Sequence, residues 1–323
     1  MCRFPPRHIE PDLNEASWRH RFLALSLLAL AGYWLTPAAS AACSDQSVVL
    51  EVLGSGGPEY DDGRISSSYL VRRRGLAKIL VDVGPGASVA FGQANARFED
   101  LEAVLLTHLH VDHAGDLPAF IKGSYFSDRD RDLPVYGPAG NALMPATTDF
   151  VSRLLSDDGA YRYLQDYVST DRRSDYKMQA ADVPLVQGDI ERIELADDIV
   201  VSATYVHHGP VAAVAWRVDM GRCSIAFSGD MSNRFETLAP LARDVDLLVM
   251  HNAVPENAGR IARNLHMTPS EIGRIANAAR AKRVVLSHFM RRTQDRQQET
   301  LDAIRQHYDG PVDLAEDGSR YAP

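Results

Sequence analysis

From position 47 onward, short apolar runs alternate with stretches in which apolar residues recur at helical spacing. Residues 47–53 and 67–71 read as early strands, separated by the glycine-rich loop Gly54-Ser55-Gly56-Gly57-Pro58. Residues 78–83 are a nearly continuous apolar run that ends at Gly84-Pro85-Gly86, and 101–107 is a second; such runs predict buried strands. Further strand-like runs fall at 199–205, 213–218, 224–227, 245–250 and 283–286. Between 147 and 176 the period changes: Phe150, Leu154, Leu155, Tyr161, Leu164 and Tyr167 recur at roughly helical spacing and predict two helices laid over the domain. Tyrosines there either line a substrate entrance, as in a lid, or simply pack, which is the commoner use of such a stripe.

Thr268-Pro269-Ser270-Glu271 has the form of a capping box, in which the Thr hydroxyl and the Glu carboxylate exchange bonds with backbone amides and Pro269 sits where its missing N–H does no harm. It predicts a helix start with His266 on the loop just before it, and the strand at 283–286 then delivers His288 at its C-terminal end. No repeat, low-complexity tract or linker interrupts residues 42–323, so a single α/β domain is expected there. A chain of 323 residues, 45% apolar and 24% charged, is long enough to bury a full core.

The N-terminal region reads differently. Arg19 and Arg21 precede an apolar run at 22–35, Pro37 breaks it, and Ala39-Ser40-Ala41 offers small residues for cleavage, so residues 1–41 are expected to be a cleaved export signal and the mature protein to be secreted or periplasmic. The run is too short to span a bilayer, and no stable membrane span should remain. A retained anchor, or lipidation at Cys43, is the other reading of this segment. The formal charge of −9 becomes one unit more negative once that segment is removed. Sequence-independent nucleic-acid binding needs basic surface, so no nucleic-acid partner is expected. Cys43 and Cys223 are too few for a disulfide framework, the sequence alone does not pair them, and Cys223 reads as a small buried apolar residue beside its strand.

Chemistry concentrates in Thr107-His108-Leu109-His110-Val111-Asp112-His113-Ala114-Gly115-Asp116, which packs four metal-competent side chains into six residues. A chance HxHxDH is expected on the order of once in a thousand such chains. If the backbone stays extended past Thr107, His108 and His110 face one side together, and a turn after His110 can aim Asp112 and His113 at a neighbouring position. Neutral imidazoles and a carboxylate suit Zn²⁺ at about 2.0–2.2 Å, and two such ions roughly 3.5–4 Å apart can share a hydroxide. Mn²⁺ or Fe²⁺ accept the same nitrogen and oxygen set.

This constellation resembles the metallo-β-lactamase superfamily over nearly the whole of residues 47–293, and the resemblance implies a four-layer αββα sandwich. It further implies that Asp82, in Val81-Asp82-Val83-Gly84, orients a histidine ligand from behind. His208 would be the third ligand of one metal, Asp230 the carboxylate bridging both, and His288 the last ligand of the other. His208 is preferred to His207 because it directly precedes Gly209-Pro210, and alternation along a strand lets only one of the two point inward. Asn264-Leu265-His266-Met267-Thr268 carries a His-x-Thr element similar to the ribonuclease Z and arylsulfatase-like branch, where the corresponding histidine assists the leaving group or binds the reacting anion. A helix N-terminus would lower the proton affinity of His266, which suits orienting better than proton donation.

Departures narrow the reading. Only Gly209 to Gly229 separates His208 from Asp230, which leaves no room for the long arm of ribonuclease Z enzymes that process transfer RNA. The best-known zinc β-lactamases have cysteine where Asp230 stands, and flavodiiron oxidoreductases have glutamate at the position of His110. The expectation is therefore hydrolysis of a small anionic ester, a phosphodiester or aryl sulfate, by a hydroxide bridging two Zn²⁺, with Asp112 and His266 as catalytic residues. Lactone or glyoxalase-like hydrolysis and iron-dependent persulfide dioxygenation are the alternatives on this fold. Substrate could also meet the 54–57 loop, Lys122, Ser124, Tyr125, Phe126, Arg291 or Arg292. Oligomeric state is left open, a homodimer included.

Overall fold

Fourteen strands form along the described chain in an order that builds two sheets, one from the first half joined by the last strand and one from the rest of the second half. In the computed structural model the described residues are Cys43, 47–171 and 174–323; the expected export segment, 1–41, lies outside them. The first half gives β1 (Val48–Gly54), β2 (Ser68–Arg73), β3 (Leu76–Val83), β4 (Ala103–Leu105), β5 (Leu133–Pro138) and β6 (Met178–Val183). The second gives β7 (Glu191–Glu194), β8 (Ile199–His208), β9 (Val211–Met220), β10 (Cys223–Phe227), β11 (Leu247–His251), β12 (Val284–Ser287), β13 (Val312–Leu314) and β14 (Arg320–Tyr321). Strand order is β14-β1-β2-β3-β4-β5-β6 in one sheet and β13-β12-β11-β10-β9-β8-β7 in the other, both of mixed direction.

Alternation within each strand, reset in β3 by irregularities at Lys78 and Asp82, decides the layers. In β3, Ile79 and Val81 face the other sheet and meet Trp216, Val218 and Phe227, while Ala77, Leu80 and Val83 face outward. The outward face of the first sheet is covered by α1 (Ala87–Gln93), α2 (Val111–Ala114), α3 (Leu117–Ser124) and α4 (Thr147–Leu155), through Phe91, Phe120, Ile121, Val151 and Leu155. Opposite them, Leu238 of α5 (Leu238–Leu241), Ile272 and Ile275 of α7 (Pro269–Ala279) and Ile304 of α9 (Gln297–Arg305) pack on Ala226, Leu248 and Met250. Two short helices, α6 (Arg260–Leu265) and α8 (Arg291–Gln294), complete this half. The result is the expected four-layer αββα sandwich. Among the described residues no helix is long and apolar enough to cross a membrane.

Several expectations are corrected in detail. β4 is shorter than 101–107 because the chain leaves the sheet after Leu105, and Thr107 N donates instead to Asp82 Oδ1 at 2.7 Å. β8 runs on through His208 rather than stopping at 205. The 147–176 segment gives one α-helix and a 3₁₀ helix at Arg162–Tyr167, and Val151, Leu155 and Leu164 bury against the first sheet, so packing is its observed use. The capping box does not close: Thr268 makes no side-chain cap bond, and Glu271 instead bonds Asn233 Nδ2 at 2.6 Å and Arg274.

Cys223 is not a solitary apolar residue. The fold brings Cys43 to it with 4.6 Å between Cα atoms, and the two form a disulfide across a sequence separation of 180. Closing a loop of that length restricts the unfolded chain strongly. Reduction, or the Cys43→Ser variant, is expected to lower unfolding stability by about 2–5 kcal/mol. Denaturant titration with and without reductant measures it, and identical midpoints would show that the bridge contributes nothing.

Candidate metal centre

The strands that matter run the same way and end at one edge. β10, β11 and β12 are parallel neighbours, and β8 shares their direction because it is antiparallel to β9, which is antiparallel to β10. Their C-terminal ends deliver His208, Asp230, His251 and His288, and the segment after β4 brings His108 to His113 against them.

Asp82 organises that segment. Besides the Thr107 amide, its carboxylate accepts the Thr107 hydroxyl at 2.8 Å and faces His113 Nδ1 at 2.7 Å. His108 Nδ1 lies 3.1 Å from the same hydroxyl. The chain then turns: His110 has an extended backbone, its carbonyl accepts the His113 amide, and α2 swings Asp112 and His113 inward. Two glycines permit close approach. A Cβ on Gly84 would sit 2.2 Å from the Asp112 carbonyl, and Gly229 has φ +57 with Thr107 Cβ 2.8 Å from where its own would be. Asp82 and His288 also lie in the left-handed region, at φ 55 and 53, where non-glycine residues persist only if their surroundings impose it.

Two groups of potential ligands result. His108, His110, His208 and Asp230 place one donor atom each within 4.8 Å of one another, and so do His113, Asp230, His251 and His288. Asp230 is common to both. Asp112 Oδ2 borders the second group, 3.4 Å from His113 Nε2 and 3.3 Å from His288 Nε2. All seven residues expected as ligands from the sequence thus meet in one place. His207 points elsewhere, 2.7 Å from Ser232 Oγ and edge-on to Phe235. His266 lies at the rim, its Nδ1 3.7 Å from Asp230 Oδ2.

The donor set fits divalent cations on an observation independent of residue type. Nε2 of His108, His113 and His208 is buried with no hydrogen-bond partner, whereas the other nitrogen of each ring faces an oxygen. For His113 and His208 that oxygen belongs to the Asp82 carboxylate and the Leu265 carbonyl, which only accept; Nδ1 therefore carries a proton, and in the neutral ring that a metal needs, the lone pair is on Nε2.

His251 was missed in the sequence. Its Nδ1 faces Asp230 Oδ1 at 2.8 Å and its Nε2 lies 3.1 Å from the Tyr69 hydroxyl, which donates to Ser287 Oγ at 2.9 Å. The available signal was its place at the end of a buried strand, beside Ser287 in the register that precedes His288. Of the suggested substrate contacts, the 54–57 loop borders the centre, with Gly57 against His288. Lys122, Tyr125 and Phe126 stack on one another, Ser124 bonds Tyr176, and Arg291 pairs with Asp61.

Burial lowers the proton affinity of His108, His110 and His208, and neighbouring histidines add to the effect. His113 and His288 go the other way: burial pulls them down, but Asp112 and Asp82 beside His113, and Asp230 and Asp112 beside His288, raise them on balance. Asp112 and Asp230 are held far below the usual carboxylate range; burial opposes this, and the surrounding histidines outweigh it. His251 and His266 are pushed down to about 4, mainly by burial, so both are neutral near pH 7. The helix N-terminus is thus not what governs His266, which follows α6 as its C-terminal cap.

The sequence model of the family described as "Beta-lactamase superfamily domain" matches residues 77–289. The chain belongs to that superfamily. A protein named Ribonuclease Z from Haloferax volcanii is 27% identical over 307 residues, covering 83% of this chain and 92% of the relative. Among solved structures, the metallo-beta-lactamase fold protein YhfI from Bacillus subtilis superposes with TM-score 0.65 at 22% identity over 85% of this chain and 98% of that one. Human tRNase Z, short form, gives 0.64 at 21% identity over the same two shares. Superfamily and fold therefore agree with the residues.

One expectation is overturned. Net acidity was taken to exclude a nucleic-acid partner, yet relatives named Ribonuclease Z match most of this acidic chain. Net charge averages over the whole surface, whereas recognition is set by the charge at the mouth of the site.

Removing the Asp82 carboxylate takes away three hydrogen-bond acceptances at once. Asp82→Ala is expected to weaken Zn²⁺ binding about 10–100-fold. Chelator competition reads this, with circular dichroism as the folding control; unaltered affinity would mean that Asp82 does not order the ligands.

Proposed function

We propose that this chain is a metal-dependent phosphodiester hydrolase that works with two Zn²⁺ ions, Mn²⁺ or Fe²⁺ being acceptable to the same donors. The observation that carries the reading is the pair of His/Asp groups sharing Asp230, with the Nε2 atoms of His108, His113 and His208 buried and unpartnered. Similarity to proteins named Ribonuclease Z favours a phosphodiester over other esters.

His108, His110 and His208 would hold one ion, His113, Asp112 and His288 the other, and Asp230 both. Bound there, the ions supply a water of lowered pKa as nucleophile and neutralise charge on the phosphoryl oxygens. The protein's own groups do the rest. Asp112, a carboxylate held ionised by the histidines around it, would orient the attacking water. His251 braces Asp230 Oδ1 through a buried chain that reaches Tyr69 and Ser287. His266, neutral, presents a buried and unpartnered Nδ1 beside Asp230, placed to hold a non-bridging oxygen or the departing oxygen.

We further propose that residues 1–41 direct export and that residues 42–323 act outside the cytoplasm. The Cys43–Cys223 bridge supports this, because such bridges persist in oxidising compartments.

The zinc-loaded protein should cleave bis(nitrophenyl) phosphate in a chelator-sensitive way and leave matched nitrophenyl sulfate, carboxylate ester and lactone nearly untouched. A preference for any of these would overturn the phosphodiester assignment. Asp112→Ala is expected to lower kcat by about 10²–10⁴-fold with the fold intact; full activity in the variant would remove Asp112 from the reaction. His266→Ala should slow esters with alkyl leaving groups by about 10²-fold and nitrophenyl esters much less. Equal losses on both would assign His266 to substrate positioning alone.

A further inference from the structure

The helix α6 separates three openings, and each reaches a residue of the metal centre. One groove of about 1000 Å³ is lined by His110 together with Val211, Arg260, Ile261 and Arg263. A second of about 550 Å³ joins His266 to Arg260 and Arg292, and a third of about 300 Å³ joins His266 to Arg234 and Arg263. The helix buries none of its residues, and Ile261 is 80% exposed.

Half of the described arginines are committed to carboxylates, and those around α6 are not. Arg72, Arg131, Arg217, Arg280, Arg283 and Arg320 each pair with a carboxylate. Arg234, Arg260, Arg263 and Arg292 have no carboxylate partner among the described residues. The Glu271 carboxylate in the third opening is already taken by Arg274 and Asn233. Arg292 gives Nε to the Ala253 carbonyl at 2.7 Å and a terminal nitrogen to Met290 Sδ. In a chain of net charge −9, four arginines without a carboxylate partner thus stand around the site where an anion is to be held. A simple phosphodiester carries a single negative charge, which the centre itself would meet.

Resting on the phosphodiester reading, we infer that the α6 groove is a subsite for a second phosphate of the same substrate, gripped by Arg260 and Arg263. Ile261 and Val211 offer the apolar wall on which the connecting sugar or base lies. Guanidinium forks match phosphate oxygens two at a time, which fixes position as well as charge. The substrate class is therefore a nucleotide-type diester bearing a further phosphate, whether a mononucleotide or the end of a nucleic-acid strand.

The test compares thymidine 5′-(nitrophenyl phosphate) with its 3′-phosphorylated counterpart on the zinc-loaded protein. The added phosphate is expected to lower KM about tenfold, and the Arg260→Ala/Arg263→Ala double variant to erase most of that advantage. Equal KM values in the wild type, or an advantage that survives the double substitution, would overturn the subsite. Calorimetry on the zinc-free protein with thymidine 3′,5′-bisphosphate against thymidine 5′-monophosphate keeps the questions apart. Tighter bisphosphate binding that needs the two arginines upholds the subsite even if neither ester is cleaved, an outcome that would reject only the phosphodiester activity. Competition by thymidine bisphosphate and by a 5′-phosphorylated short RNA supports the subsite and separates the sources by relative potency; competition by neither overturns it.

Discussion

The carboxylate of Asp82 is where sheet and site are joined. It ends β3, lies in a left-handed backbone conformation, and receives the Thr107 amide, the Thr107 hydroxyl and His113 Nδ1. Because β3 is the central strand of the first sheet, those three bonds tie the start of the HxHxDH turn to the middle of that sheet. The placement of His108 and His113, and through the turn that of Asp112, follows from it. Imidazoles held this way have one nitrogen committed and one free, which is the condition for a preorganised ligand.

The same burial that sharpens the site makes it costly. Asp112, Asp230 and the histidines around them lie away from water, and isolated charges there would be strongly unfavourable. They offset one another: carboxylates with depressed proton affinity face His113 and His288, whose affinity is raised. The Tyr69–His251–Asp230 chain extends that compensation into the space between the sheets, where Tyr69 also packs on Phe227. Stability and function therefore draw on one buried polar network, surrounded by apolar layers that contribute most of the folding free energy.

Much of this was legible in the sequence. Apolar runs bounded by glycines gave the central strands, and the HxHxDH segment with His208, Asp230 and His288 marked residues that the fold brings together. What escaped was tertiary. His251 stands in an ordinary apolar strand and acquires its place only because β11 lies between β10 and β12. Thr268 and Glu271 carry the letters of a capping box, but Asn233 and Arg274 outcompete the backbone for the carboxylate. Net charge misled for a similar reason, since a sum over the chain does not say where the charges stand, and Arg234, Arg260, Arg263 and Arg292 gather beside the metal centre without carboxylate partners. Cys43 and Cys223 could not be paired because pairing depends on distance in space.

That bridge has a consequence for the order of events during synthesis. A chain that emerges N-terminus first exposes Cys43 while its partner is still 180 residues away. The bond can close only once β9 and the start of β10 have been made, after β1 to β6 are available to pair. Oxidation therefore cannot guide the pairing of β1 to β6, and until the bond closes the early cysteine must be kept from pairing with another molecule.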